Sequence, residues 1–191
     1  MKLYVVRHGE SENNEKKCWT GWQDPHLTEK GRLDAERAGR ILEGISFDHV
    51  ISSDLCRAVE TAEIVVPGCT PETTALLREI NVGSLGGQPL SLPTDPAERK
   101  KMSTEGYADY GGESREDLRN RAREFLAMMA KEENKERVAA FCHAGFLRAV
   151  LDEVLTVKLS GKHIRCYNCA IGIFEYADGV WALNSWINPL T

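Results

Sequence analysis

Apolar positions recur along this chain with two periods, one suited to strands and one to helices. Strand signals lie at Leu3–Val6, His49–Ile51 and Arg137–Phe141, followed by a closing pair at Ala170–Tyr176 and Val180–Trp186. Asp178-Gly179 between the last two is a hairpin signal, so the carboxyl-terminal pair is expected to add antiparallel strands to the sheet. Helical stretches with recognisable starts lie between the strands. Thr28 can cap a helix over Glu29–Glu43, with Leu33, Ala38, Ile41 and Leu42 as its apolar face and Gly44 as its stop. Ser53 can cap Asp54–Val66, and Ser114-Arg115-Glu116-Asp117 resembles a capping box that opens a helix through Leu118, Ala122, Phe125, Leu126 and Met129. A last helix follows His143, with Phe146, Leu147, Val150, Leu151, Val154 and Leu155 at helical spacing. Strands alternating with helices predict an α/β fold: a three-layer α/β/α sandwich on a mostly parallel sheet, with the antiparallel pair added at the carboxyl end.

One stretch departs from this alternation. From Gly83 to Gly112 the chain is rich in Gly, Pro, Ser and charge, with one short helix expected where Asp95 caps, Pro96 takes the first position and Met102 ends the run. A segment of this length is expected to be a lid inserted into a single domain over 1–191, with a passive surface loop as the alternative. No repeat or linker is evident.

Composition narrows the class. With 42% hydrophobic and 28% charged residues in 191, the chain has the make-up of a soluble globular domain. No apolar run approaches the length needed to cross a bilayer, and no secretion signal is evident, so a cytoplasmic protein is expected. The six cysteines are then expected as reduced thiols. Lysine and arginine number 24 against 29 aspartates and glutamates, a net charge of −5 that disfavours nucleic acid or an anionic membrane as partner. A small anion needs only a local cluster of arginines. Oligomeric state is not legible in the sequence.

Such a cluster is present. Arg7-His8-Gly9-Glu10 stands directly behind the first strand, where open α/β sheets bind ligands beyond the carboxyl ends of their strands. A histidine there, taken alone, is more often a polar loop residue than a catalytic one. The turn carries no glycine-rich phosphate cradle of either common pattern, and arginine takes its place. Arg57 lies one turn into the helix after the second strand, and guanidinium groups match phosphoryl oxygens in bidentate geometry. His143 opens the helix after the strand ending at Cys142, an equivalent address, so His8, Arg7, Arg57 and His143 are expected in one pocket.

These residues carry a close resemblance. Arg7 through Ser11 with Asn14, Thr20-Gly21-Trp22, Leu27-Thr28, Gly31, Ser53 through Arg57, Thr61, Glu79 with Gly83 and Leu85, and His143 resemble the histidine phosphatase superfamily, which includes the cofactor-dependent phosphoglycerate mutases. The resemblance implies that His8 attacks phosphorus to form a phosphohistidine, its other nitrogen held by a hydrogen bond. It implies that Arg7, Arg57, His143 and Asn14 surround the transferring group, and that Glu79 supplies and then recovers the proton. Glu10 would be a secondary acid, and without the resemblance Glu79 reads as a surface partner of Arg78. Thr20 and Gly21 would face the substrate, a small phosphorylated metabolite. Trp19 and Trp22 would wall the pocket or pack in the core. No metal or other cofactor is implied.

The acceptor of the phosphoryl group separates the activities within the family. Phosphoglycerate mutases follow the acidic residue with Arg-His-Tyr, where this chain has Ile80-Asn81-Val82, and they follow the second histidine with Gly-Asn, where this chain has Ala144-Gly145. Their longer lid with paired arginines has no counterpart between Gly83 and Gly112, and Gly111-Gly112-Glu113-Ser114 is similar to the smaller phosphatases. Hydrolysis is therefore expected, with mutase-type transfer as the alternative and a non-catalytic phospho-ligand module as a third reading. Arg99, Lys100 and Lys101 are expected on a solvated helix face. His163-x-x-Cys166-x-x-Cys169 has zinc-ligand types but lacks a second pair, so its cysteines read as plain thiols.

Overall fold

The structure, a computed structural model, describes residues 1–132, 134–157 and 164–190. The chain runs through β1 (Lys2–Arg7), α1 (Glu12–Glu15), α2 (Glu29–Ile41), β2 (His49–Ser53), α3 (Cys56–Val65), β3 (Glu72–Thr74), α4 (Pro96–Glu105), α5 (Arg115–Met129), β4 (Arg137–Cys142), α6 (Ala144–Leu155), β5 (Ile171–Ala177) and β6 (Val180–Ile187). Leu3 and Val5 of β1 enter one core with Val138, Ala140 and Cys142 of β4, while Tyr4, Val6, Ala139 and Phe141 enter a second. Both faces of the central strands are thus buried, which is why these runs are continuously apolar.

The sheet order is β3-β2-β4-β1-β5-β6. β1 pairs parallel with β4, β4 with β2 and β2 with β3, whereas β5 runs antiparallel to β1 and β6 antiparallel to β5. The hairpin turns at Asp178-Gly179, both with positive φ (52° and 80°), as a two-residue hairpin turn of this kind requires. Helices α2 and α3 contribute Ala35, Ala38, Ala62 and Val65 to one core, and α5 and α6 contribute Leu118, Phe125, Phe146 and Val150 to the other. Phe125 and Phe146 meet edge to face at 5.8 Å between the latter helices. Burial of each such side chain contributes roughly 1.5–3 kcal/mol. The three-layer α/β/α architecture expected from the pattern is what forms.

Local chemistry sets most helix starts as expected. Thr28 accepts a hydrogen bond from Gly31 N, Asp95 accepts one from Ala97 N, and Ser114 and Asp117 cap each other's backbone reciprocally. Three details differ. Leu33 and Ile41 of α2 are 50% and 41% exposed; the helix instead lies on the sheet through Gly31, Asp34, Ala35, Ala38 and the following Leu42. The small side chains allow close approach, and buried Asp34 is neutralised by Lys30 at 2.8 Å and Arg37 at 3.3 Å. α3 starts at Cys56 with Leu55 at its N-cap, because Ser53 ends β2; the Ser53 hydroxyl bonds Leu55 N at 3.3 Å and also contacts His143. β3 and the single turn α1 have no apolar periodicity, and the sequence pattern does not predict them.

The segment 83–112 holds α4 between two 3-10 turns, Gly83–Leu85 and Ala108–Tyr110, and buries Leu85, Met102 and Tyr107 in the α5/α6 core. Its ends are joined: Glu113 N bonds Asn81 O at 2.9 Å, and a Cβ on Gly83 would lie 1.9 Å from Tyr110 O.

A second close approach braces the turn after β1. A Cβ on Gly9 would meet Gly31 O at 2.4 Å, and one on Gly31 would meet Glu10 O at 2.0 Å. Gly31→Ala should therefore force the α2 N-terminus away from this turn. A cost of about 1–3 kcal/mol, read as a Tm lowered by roughly 2–12 °C, is expected in thermal unfolding, and an unchanged Tm would show that the contact is not constraining.

Candidate active site

The register of the β1–β4 pair sets the site. Arg7 stands opposite Cys142, so the next residue of each strand, His8 and His143, leaves the sheet side by side. His8 N donates to Cys142 O at 2.9 Å, and the two imidazole centroids lie 5.0 Å apart, tilted by 58°. Ser53 at the end of β2, on the other side of β4, places its hydroxyl 2.9 Å from His143 Nε2. The same hydroxyl accepts from Leu55 N at 3.3 Å, so Ser53 holds one amide of the turn into α3 while it contacts His143.

His8 is 4% exposed, and its Nδ1 lies 2.6 Å from Gly9 O. A carbonyl only accepts, so Nδ1 carries the proton and Nε2 keeps its lone pair. Burial, reinforced by the Arg57 and Arg7 charges, holds the His8 pKa well below its ordinary value against the opposing effect of the Gly9 bond. His143 is depressed for the same reasons, burial first and then Arg57, His8 and Arg7. Both rings are neutral at pH 7.

Arg57, the second residue of α3, is 1% exposed and clamped by the carbonyls of Gln23 (2.7 Å) and Gly21 (2.9 Å). Burial lowers its pKa to about 10, so it remains a cation at neutral pH. Thr61 ties this helix to the turn after β1, accepting from Gly9 N at 3.0 Å and donating to Arg57 O at 2.7 Å. Arg7 donates to Cys166 O at 2.6 Å. Arg7 Nε, Arg57 Nε and His143 Nδ1 are all buried with no hydrogen-bond partner in the protein. Buried donors are seldom left so, and three around one imidazole define a place for an anion.

Glu79 faces this place. Its carboxylate accepts from Ile80 N at 2.8 Å and from Gly145 N at 3.1 Å, and a Cβ on residue 145 would lie 2.1 Å from Oε1. Glycine after Ala144 is therefore what lets the carboxylate approach α6. Arg78 pairs with Asp54 instead (2.7 and 2.5 Å), which removes the surface-pair reading of Glu79. Glu10 turns to Thr28 and Lys30, each at 3.1 Å, and does not line the cavity. The cavity, about 210 Å³, is bounded by Arg7, His8, Arg57 and Glu79, together with Asn14, Thr20, Gly21 and Trp19 as expected. Trp22 lies outside it, under the Arg78 guanidinium, and donates to Glu79 O at 2.8 Å.

Several contributors carry no sequence signal. Asn168 bridges His8 O (3.1 Å) and Asn14 Oδ1 (3.2 Å). Arg121, paired with Glu113, donates to the carbonyls of Leu76, Arg78 and Glu79 and so fixes the segment bearing Glu79. Tyr107, Arg115 and Arg148 also line the cavity. Arg99 instead caps the carbonyls of Leu90, Ser91 and Pro93, Lys101 pairs with Asp109, and Lys100 is exposed.

Metal chemistry finds little support in these donor sets. His163 of the suspected zinc spacing lies outside the described residues, while Cys166 and Cys169 are buried free thiols, burial pushing the latter up to about 12. His26, Cys56 and Glu60 cluster on the surface, but Glu60 pairs with Arg32 and the Cys56 thiol is raised to about 12, chiefly by burial. Among the described residues no helix is long and apolar enough to cross a membrane.

The model of the histidine phosphatase superfamily (branch 1) matches residues 3–189, and the chain belongs to that family. A probable phosphoglycerate mutase, GpmB, of Salmonella choleraesuis is 29% identical over 98% of this chain and 90% of its own length. The solved structure of Bacillus stearothermophilus YhfR is 30% identical, with a TM-score of 0.85 over 96% of this chain and 95% of its own. Phosphoserine phosphatase of Entamoeba histolytica, solved with 3-phosphoglyceric acid, is 25% identical with a TM-score of 0.84, covering 98% and 96%. The neighbours of this fold thus include both phosphatases and mutases.

The buried pair gives a pH signature. Folded His8 and His143 hold protons less readily than the unfolded chain, so stability is complete above the ordinary histidine value of 6.5 and is lost as pH falls below it. The slope reaches about 1.4 kcal/mol per pH unit for each histidine. In an NMR titration both should stay neutral through 6.5, while exposed His26, raised by its bond to Glu60, should already be protonated there. Protonation of His8 or His143 at or above 6.5 would overturn this reading.

Proposed function

We propose that this protein is a phosphatase that hydrolyses a small phosphomonoester through a phosphohistidine on His8, with no metal or cofactor. The observation that carries the reading is the state of His8: a neutral imidazole, its Nδ1 proton committed to Gly9 O, presenting an Nε2 lone pair among three unpartnered donors. Nε2 forms the new bond to phosphorus as the ester P–O bond breaks. Arg7, Arg57 and His143 hold the charge on the three equatorial oxygens, with Asn14 beside them. With Ser53 donating to Nε2, His143 carries its own proton on Nδ1, the atom left for the phosphoryl group. Glu79 gives its proton to the leaving oxygen, then takes one from the water that attacks the phosphohistidine and releases inorganic phosphate. Thr20 and the Gly21 backbone complete the wall.

Water is favoured as acceptor by the three residues after the acid. Ile80 and Val82 present apolar side chains to the cavity, and Asn81, its Oδ1 accepting from Gly83 N (2.9 Å) and its backbone N donating to Glu113 (2.7 Å), does not line it, so this stretch presents no polar side chain to a second substrate hydroxyl. The mutase names among the relatives make isomerisation the reading to test against.

His8→Ala should lower phosphatase activity by roughly 10³-fold or more, and substrate labelled in its phosphoryl group should mark His8 of the native protein with an acid-labile, base-stable label. An isomeric product with no inorganic phosphate released would decide for the mutase. Glu79→Gln should slow alkyl phosphates by about 10²–10⁴-fold. It should slow p-nitrophenyl phosphate much less, because that leaving group departs with little protonation, and equal losses on both would move the acid elsewhere.

A further inference from the structure

We propose that the pocket contains a second anion subsite, formed by Arg115 and Arg148, and that the substrate is a small phosphomonoester bearing a carboxylate as well as its phosphoryl group. The proposal rests on the phosphatase reading for the position of the phosphoryl group and adds to it the chemistry of the leaving alcohol.

Charge is the first observation. In a protein of net charge −5, the cavity lining carries four arginines and a single carboxylate, Glu79. Arg7 and Arg57 belong to the His8 end, the one adjacent in sequence and the other joined to Gly9 through Thr61. They match one phosphoryl dianion. Arg115 and Arg148 come from different elements, the first residue of α5 and the second turn of α6, and are left over.

Their bonding is the second observation. Arg115 Nε and Arg148 Nε are buried without a partner, and among the described residues neither guanidinium forms an ion pair. The contrast within α5 is direct: Arg119 pairs with Glu116, Arg121 with Glu113 and Arg123 with Glu153, so every arginine of that helix outside the cavity is neutralised. A half-buried guanidinium with no counter-charge is costly, and two that share a cavity also repel each other. A bound anion relieves both.

Placement is the third. The Arg115 guanidinium lies over the Tyr107 ring at 5.6 Å, Tyr107 packs edge to face on Trp19 at 5.6 Å, and the Trp19 indole donates to Leu92 O at 2.9 Å. This stack holds the cation at the wall of the 83–112 segment. Arg148 follows Gly145, whose amide binds Glu79, by one helical turn. Arg148 and the amide that holds the acid thus come from the same end of α6, and both arginines share the cavity with Glu79. A carboxylate suits the guanidinium fork and the space: the cavity, about 210 Å³, is below the ~300–1,000 Å³ of drug-sized sites.

The test compares pairs of esters that differ at this group: phosphoserine against phosphoethanolamine, and 3-phosphoglycerate against glycerol 3-phosphate, with glycerol 1,3-bisphosphate as a third arm. The native protein should favour the carboxylated member at least about tenfold in kcat/KM, the size of a charge-assisted bond. That ratio should collapse towards one in Arg115→Gln and Arg148→Gln and recover partly in the lysine variants. Preference for the bisphosphate over both would retain the subsite and assign it to a phosphoryl group. Equal kcat/KM within the pairs, or a ratio unchanged by either Gln variant, would overturn the proposal. Calorimetric binding of the same pairs reads the subsite without turnover: a carboxylate preference with no phosphate release would sink the phosphatase reading alone, and equal affinities would sink the subsite alone.

Discussion

Everything at the site depends on one parallel pairing. β1 and β4 are separated by most of the chain, yet their register puts Arg7 opposite Cys142 and therefore His8 beside His143. A shift of one residue would turn the side chains of one strand to the opposite face and separate the imidazoles. The register is held by apolar side chains buried on both faces of each strand, so the hydrophobic core that stabilises the fold also sets the distance between the two histidines. Hydrogen bonds at the strand ends, His8 N to Cys142 O and Ser53 to His143, extend the register one residue beyond the sheet.

Electrostatics at this edge runs against the protein as a whole. Four arginines converge on one cavity of an acidic protein, and the carbonyls of Gly21, Gln23 and Cys166, rather than carboxylates, orient Arg7 and Arg57. A carbonyl fixes a guanidinium without cancelling its charge. The same field, added to burial, keeps both histidines unprotonated. Glycines at 9, 31 and 145 admit the backbone contacts and the carboxylate approach on which this arrangement rests.

Much of this is legible along the chain because it is local. The caps at Thr28, Asp95 and Ser114, the hairpin at Asp178-Gly179 and the strand-end positions of His8 and His143 follow from short-range chemistry, and the structure keeps them. Glu79 and Asn14 are reached only through family resemblance, since a lone carboxylate or amide has no signal of its own. Ser53 reads as a cap because a serine after a strand suits capping; that it also meets His143 depends on the neighbour across the sheet. Leu33 and Ile41 read as core because apolar type alone cannot tell that α2 approaches the sheet through glycine and alanine.

The sequence by itself determined the layer architecture, the capped starts of α2, α4 and α5 and the residue types capable of phosphoryl chemistry, because periodicity, capping and motif spacing act over a few residues. Tertiary structure decided which of those residues meet. It brought Gly145 under Glu79, freed Glu79 by giving Arg78 to Asp54, and set Arg115 and Arg148 on the cavity wall while pairing their neighbours away. Whether an arginine is a surface charge or part of a binding site depends on burial and on where the nearest carboxylate lies, and both are properties of packing between elements distant in the chain.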